Sequence, residues 1–219
     1  MKKGLLTLAL LITSSSLWSQ DMDAPMAEEI TPIDSTDTTV RHFRIGAKIG
    51  FPNVVGGSIE VVLPILENRI APYVDISGFT LNAEDDVTSA LSYREIGANF
   101  YLGKHAKGMY LSAGTANLST KFTFNDLSLD NGVRGTGTVT EEINTFNLKL
   151  GIKSKGRIYF RFELGYGLGD IPNELSVVGS GTAPSGQTVS ETITEPIPSL
   201  PGVNDNGVII GNFGIGFSF

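Results

Sequence analysis

From His42 onward, apolar and polar residues trade places one for one. Phe43, Ile45, Ala47, Ile49 and Phe51 fall on one face of an extended segment, and Arg44, Gly46, Lys48 and Gly50 fall on the other. A period of two is the pattern of a β-strand with one greasy and one polar side. It recurs over 57–65, 70–79, 91–102, 109–124, 142–152 and 158–168, and a last time over 205–219. Eight strands are predicted. The seventh is among the clearest, with Ile158, Phe160, Phe162, Leu164, Tyr166 and Leu168 opposed to Tyr159, Arg161, Glu163, Gly165 and Gly167. In the eighth, Ile209, Phe213, Ile215, Phe217 and Phe219 oppose Asn212, Gly214, Gly216 and Ser218. Pro72, inside the third, counts against that strand unless it lies near an end.

The connections carry a second rhythm. Pro52–Gly56, Leu66–Arg69, Gly103–Gly108 and Lys153–Gly156 read as short turns, whereas Asn82–Ala90, Asn125–Val139 and Asp170–Asn204 read as long polar loops. With the start of the first strand on the periplasmic side, the second, fourth and sixth connections are short and share that side. The long loops are then all external. An even number of strands, short turns at one end and long loops at the other predict an all-β, eight-stranded antiparallel up-and-down transmembrane β-barrel. A soluble barrel of the same size would put its Phe and Ile inside and Lys48, Glu60, Arg161 and Glu163 outside.

Upstream of the barrel, Lys2 and Lys3 precede an apolar run from Leu5 to Ile12 and a small-residue region ending near Ser19. This is the layout of a secretory signal peptide over residues 1–19, with cleavage between Ser19 and Gln20; the run is far shorter than the roughly 20 apolar residues of a spanning helix. Residues 20–40 carry Asp21, Asp23, Glu28, Glu29, Asp34 and Asp37 among Pro, Ser and Thr, and are expected to be a disordered acidic periplasmic segment ahead of the barrel at 41–219. Lys and Arg number 16 against 23 Asp and Glu; without Lys2 and Lys3, 14 basic residues remain and the formal charge is −9. Nucleic acid is thereby disfavoured as a partner. The absence of cysteine excludes disulfides, lipoprotein processing and Cys-ligated zinc.

Asn212, Gly214, Phe217 and Phe219 stand at the spacing polar, x, Gly, x, x, aromatic, x, aromatic. This resembles the C-terminal assembly signal of bacterial outer-membrane barrels. The stretch from His42 to Phe219 is similar in architecture to the small barrels of the OmpA/OmpX type, with no subfamily signature. The resemblance implies a monomer in the outer membrane of a Gram-negative bacterium, in contact with outer-membrane lipid. It also implies biogenesis through periplasmic chaperones and the barrel assembly machinery.

The candidate chemistry lies on the polar face. Arg44, Lys48, Lys149 and Arg161 are set against Glu60, Asp75, Glu95 and Glu163, four cations to four carboxylates. An eight-stranded barrel has an interior just wide enough for its side chains, so these charges are expected to pair across it. Turn positions predict Lys48 opposite Glu60, Glu60 opposite Asp75, and Lys149 opposite Arg161 with Glu163 one step along. The expected role is non-enzymatic, structural or surface-interacting through the outer loops; the alternatives are a narrow pore for small or apolar solutes and, third, a lipid-modifying enzyme. His42 and His105 both fall at the periplasmic end, away from the outer rim where such enzymes work. No cofactor is expected. The acidic positions Glu84, Asp85 and Asp86, and Asp126 with Asp130, lack the spacing of a calcium loop, so no metal site is assigned either.

Overall fold

A computed structural model describes residues 40–84, 87–129, 132–196 and 202–219. The predicted signal peptide, residues 20–39 of the acidic segment, and Asp85, Asp86 and Asp130 lie outside the described residues. The strands are β1 (Phe43–Phe51), β2 (Val54–Val61), β3 (Ile70–Glu84), β4 (Val87–Tyr101), β5 (Gly108–Ser128) and β6 (Arg134–Lys153). They continue with β7 (Ile158–Leu168), β8 (Glu174–Thr182), β9 (Thr188–Pro196), β10 (Val203–Asn204) and β11 (Gly207–Ser218). Consecutive strands from β1 to β7 pair antiparallel, β7 pairs β11, and β11 pairs β1. The ring closes on eight strands, in up-and-down order.

Alternation decides which face is which. Along β11 the even positions Val208, Ile210, Asn212, Gly214, Gly216 and Ser218 are buried, while Ile209, Phe213, Ile215 and Phe217 are 45–52% exposed. The same holds around the ring: Ile45, Ile59, Ile76, Ile96, Leu111, Leu148 and Phe160 all lie open on the outer surface. Exposing so many large apolar side chains is the reverse of a water-soluble barrel. Charges and tyrosines occupy the interior. Pro72 sits one residue past the last β2–β3 partner pair, Glu60 with Tyr73, close enough to the strand end to be tolerated.

The expected outer loops are largely strand. β3 runs on to Glu84 and β4 begins at Val87, and β5 and β6 run on as a hairpin through most of 125–139. Within 170–204, β8 and β9 form a further hairpin, and Gly135–Thr138 of β6 pairs with Val178–Gly181 of β8. A sheet β3-β4-β5-β6-β8-β9 thus stands beyond the barrel rim as a flange. Polar, Gly-rich composition hid it, because its buried face sets Gly135, Gly137 and Gly179 among Val139 and Val177, with too little apolar bulk to mark the alternation seen in the wall. A register shift between Phe124 and Leu127 bends the tip of β5. Leu127 and Leu129 then approach Gly179, and Leu129, Val133 and Val177 are buried in a small apolar cluster of the flange itself.

The interior fits because tyrosines lie against glycines. A Cβ at Gly97 would sit 2.6 Å from the Tyr73 hydroxyl, one at Gly46 would sit 2.8 Å from that of Tyr159, and one at Gly151 would run into the Tyr110 ring. Gly151→Val should therefore displace Tyr110 and lower stability by about 1–3 kcal/mol. Urea unfolding of the refolded barrel followed by tyrosine fluorescence checks this; an unchanged midpoint would show that the ring has other room.

Candidate functional site: the charged lumen

All eight lumen charges expected from the sequence are buried, at 1–4% exposure, and they form two layers. Lys153 joins them. The sequence places it in a short basic turn, yet it is the last residue of β6 and 3% exposed. The interior therefore holds five cations against four carboxylates among the described residues, in place of the expected balance.

The layer nearer the short turns, here the turn end, is built on Glu60. Arg44 donates to Oε1 at 2.5 Å, Lys153 to Oε1 at 2.5 Å, and Arg161 to Oε2 at 2.9 Å. Asn99 donates to Oε2 at 2.8 Å, and the Tyr101 hydroxyl lies 3.0 Å from Oε1. These groups come from β1, β2, β4, β6 and β7, so one carboxylate ties together strands far apart in sequence. The Lys153 ammonium also lies over the rings of Tyr101 and Tyr159, 4.9 and 5.1 Å from their centroids.

The second layer lies toward the flange. Lys48 bridges Asp75 and Glu163, at 2.6 Å to each. Lys149 pairs with Glu95 at 2.8 Å and stands 4.7 Å from the Tyr73 ring centroid. Glu95 accepts from Tyr73 at 2.6 Å and from Tyr93 at 2.7 Å, and Glu163 accepts from Tyr110 at 2.6 Å. Arg161 joins the layers, its Nη1 lying 3.7 Å from Glu163.

The expected pairings across the wall are corrected by the register. Lys48 faces Gly56 and Arg44 faces Glu60, because the first turn is the two residues Pro52 and Asn53; Gly56, which reads as the end of that turn, is strand. Glu60 faces Tyr73, and Ser58 faces Asp75. Lys149 faces Gly165, and it is Lys153 that faces Arg161, because the connection runs from Ser154 to Arg157. Long side chains then reach across the lumen to partners that wall neighbours do not identify. Five of the six tyrosines also belong to this interior: Tyr73, Tyr93, Tyr101, Tyr110 and Tyr159. Their parity with the charged positions was the available signal.

Of the terminal motif, Asn212 and Gly214 face the lumen and Phe217 and Phe219 face outward, 50% and 60% exposed. Phe219 packs against Phe43 with ring centroids 6.2 Å apart. The His42 ring nitrogen Nδ1 is 2.7 Å from the carbonyl of Val62, and His105 lies in the β4–β5 turn; both are at the turn end. No group of potential metal ligands of three or more occurs among the described residues.

No model of a known protein family matches the sequence, and no curated protein does. Among solved structures the chain is similar to CarO of Acinetobacter baumannii, at 14% identity over 81% of this chain and 98% of that one, with a TM-score of 0.46. It is likewise similar to a major outer membrane protein from Thermus thermophilus, at 13% identity over 81% and 98%, with a TM-score of 0.48. The architecture here stands on this chain's own strand pairing.

Removing one partner of a buried ion group is far more costly than never having built it, because the remaining charges are left in a poorly solvating interior. Glu60→Gln removes the carboxylate that three cations share and should destabilise the barrel by about 3–5 kcal/mol. Adding Lys153→Met to that variant should recover part of the loss. Urea unfolding of both variants in the same detergent checks this; a harmless Glu60→Gln would show that the carboxylate is not the tie.

Proposed function

We propose that the chain is a monomeric, non-enzymatic barrel of a Gram-negative outer membrane, closed to solutes, that presents its β-flange outside the cell. The observation that carries this is the filled lumen. Lys48, Lys149 and Arg161 reach across it to Asp75, Glu95, Glu163 and Glu60, and these side chains are at most 2% exposed. The apolar outer face supports lipid surroundings, since a wall of Ile, Leu and Phe in water would associate. The terminal segment Asn212–Phe219 serves as the handle for the barrel assembly machinery, with periplasmic chaperones acting before insertion. A structured, polar flange suits recognition of something outside, as rigidly mounted loops commonly do.

Two measurements test the reading. The refolded mature protein in a planar bilayer should be silent; steady single-channel openings would overturn the closed barrel and put the narrow pore first. Orientation is read from the cysteine-free background. A single cysteine at Ser185, in the β8–β9 turn, should react with a membrane-impermeant maleimide on intact cells. One at Lys155 should react only after the outer membrane is breached. The opposite pattern would place the flange in the periplasm.

A further inference from the structure

The two lumen layers are not equally charged. At the turn end Arg44, Lys153 and Arg161 share Glu60, whereas toward the flange Lys48 and Lys149 face Asp75, Glu95 and Glu163. Positive charge is thus in excess at one end, beneath the turns. Immediately there lies a pocket of ≈ 20 Å³, bordered by Arg44, Lys153, His105, Lys107, Lys155 and the Ser154–Gly156 turn. That is room for about one water-sized sphere.

Its lining is made almost wholly of donors. Arg44 is 4% exposed, and its buried Nε makes no hydrogen bond with any described residue; the same is true of His105 Nδ1. The β4–β5 turn takes a left-handed backbone at His105 and Ala106, φ 61° and 51°, and the Ala106 carbonyl accepts from Arg44 Nη2 at 2.9 Å. Arg44 is so anchored from two sides, with its Nη1 on Glu60. Glu67, in the neighbouring β2–β3 turn, is occupied by Arg69 at 2.9 Å and Lys104 at 2.7 Å. Hydrogen bonding to Lys104, above all, holds its carboxyl below the ordinary glutamate value.

We propose that this turn-end pocket is a binding site for a phosphate-type oxyanion. One oxygen enters the pocket against Arg44 and Lys153, and the other oxygens meet Lys107, Lys155 and the Ser154 hydroxyl at its mouth. Several cationic donors from separate strands and turns are the usual means of holding such a group. The anion would also offset the surplus positive charge around Glu60, which lies in a medium that screens it poorly. The source is either free phosphate or the headgroup of a phospholipid bordering the rim, and the chemistry is the same for both.

Titration calorimetry on the full mature chain, refolded in a phosphate-free non-ionic detergent, tests the site with two probes, inorganic phosphate and glycerol 3-phosphate. Saturable binding is expected, weakened about tenfold in Lys107→Ala/Lys155→Ala, a loss of about 1.4 kcal/mol. Lys107→Arg/Lys155→Arg should restore it. Lys121→Ala/Arg134→Ala, which removes two cations from the flange, should leave it unchanged. Tighter binding of inorganic phosphate would identify a free oxyanion as the ligand, and tighter binding of glycerol 3-phosphate a lipid headgroup. Absence of binding by both probes would overturn the proposal. So would equal weakening in the flange variant, which would mark the binding as diffuse, or unaltered affinity in Lys107→Ala/Lys155→Ala.

Discussion

The Glu60 carboxylate is the constraint around which the molecule is arranged. A charge in the middle of a narrow barrel has little water to turn to, so its partners must come from the wall. They come from β1, β6 and β7, with Asn99 and Tyr101 of β4 completing the shell. Such a centre forms only when strands from opposite parts of the chain are in register together. Wall hydrogen bonds close each hairpin locally, but the charges require the whole ring. The buried ions thereby specify one closed arrangement among the many registers that a glycine-rich sheet would otherwise allow.

Filling follows from the same requirement. Eight strands leave space for side chains but not for large ones on every strand at every level. Where Tyr73, Tyr110 and Tyr159 swing inward, Gly97, Gly151 and Gly46 give way. The tyrosines have a second use, since their hydroxyls donate to Glu95 and Glu163 while their rings border the ammonium groups of Lys149 and Lys153. Bulk and polar satisfaction are supplied by one residue type. This is why so few glutamates can sustain so dense an interior.

The wall was legible in the sequence because an apolar outer face and a charged interior impose a strict period of two. Strand number, facing and the burial of Arg44, Lys48, Glu60 and Glu163 all followed from parity. Two things did not. Contacts across the lumen depend on side-chain reach and on exact register, and a two-residue turn at Pro52 and Asn53 in place of a five-residue one moves every pairing on β1 and β2. Lys153, in a Lys-Ser-Lys-Gly run, carries the composition of a turn although its ammonium is buried on Glu60. The flange leaves little periodic trace because its buried face mixes glycines with a few Leu and Val.

One strand belongs to both parts of the fold. Toward the turn end β6 is laddered to β7, from Phe146 to Lys153, and toward its other end it is laddered to β8, from Gly135 to Thr138. The sheet forks there. The β8–β9 hairpin accordingly meets the barrel through β6, and β6 is the strand that also carries Lys149 and Lys153 into the two charged layers. A pull or a twist on the hairpin is passed along the β6 backbone, and through residues 169–173 to β7, to strands that carry the buried charges. The flange is mechanically in series with the lumen.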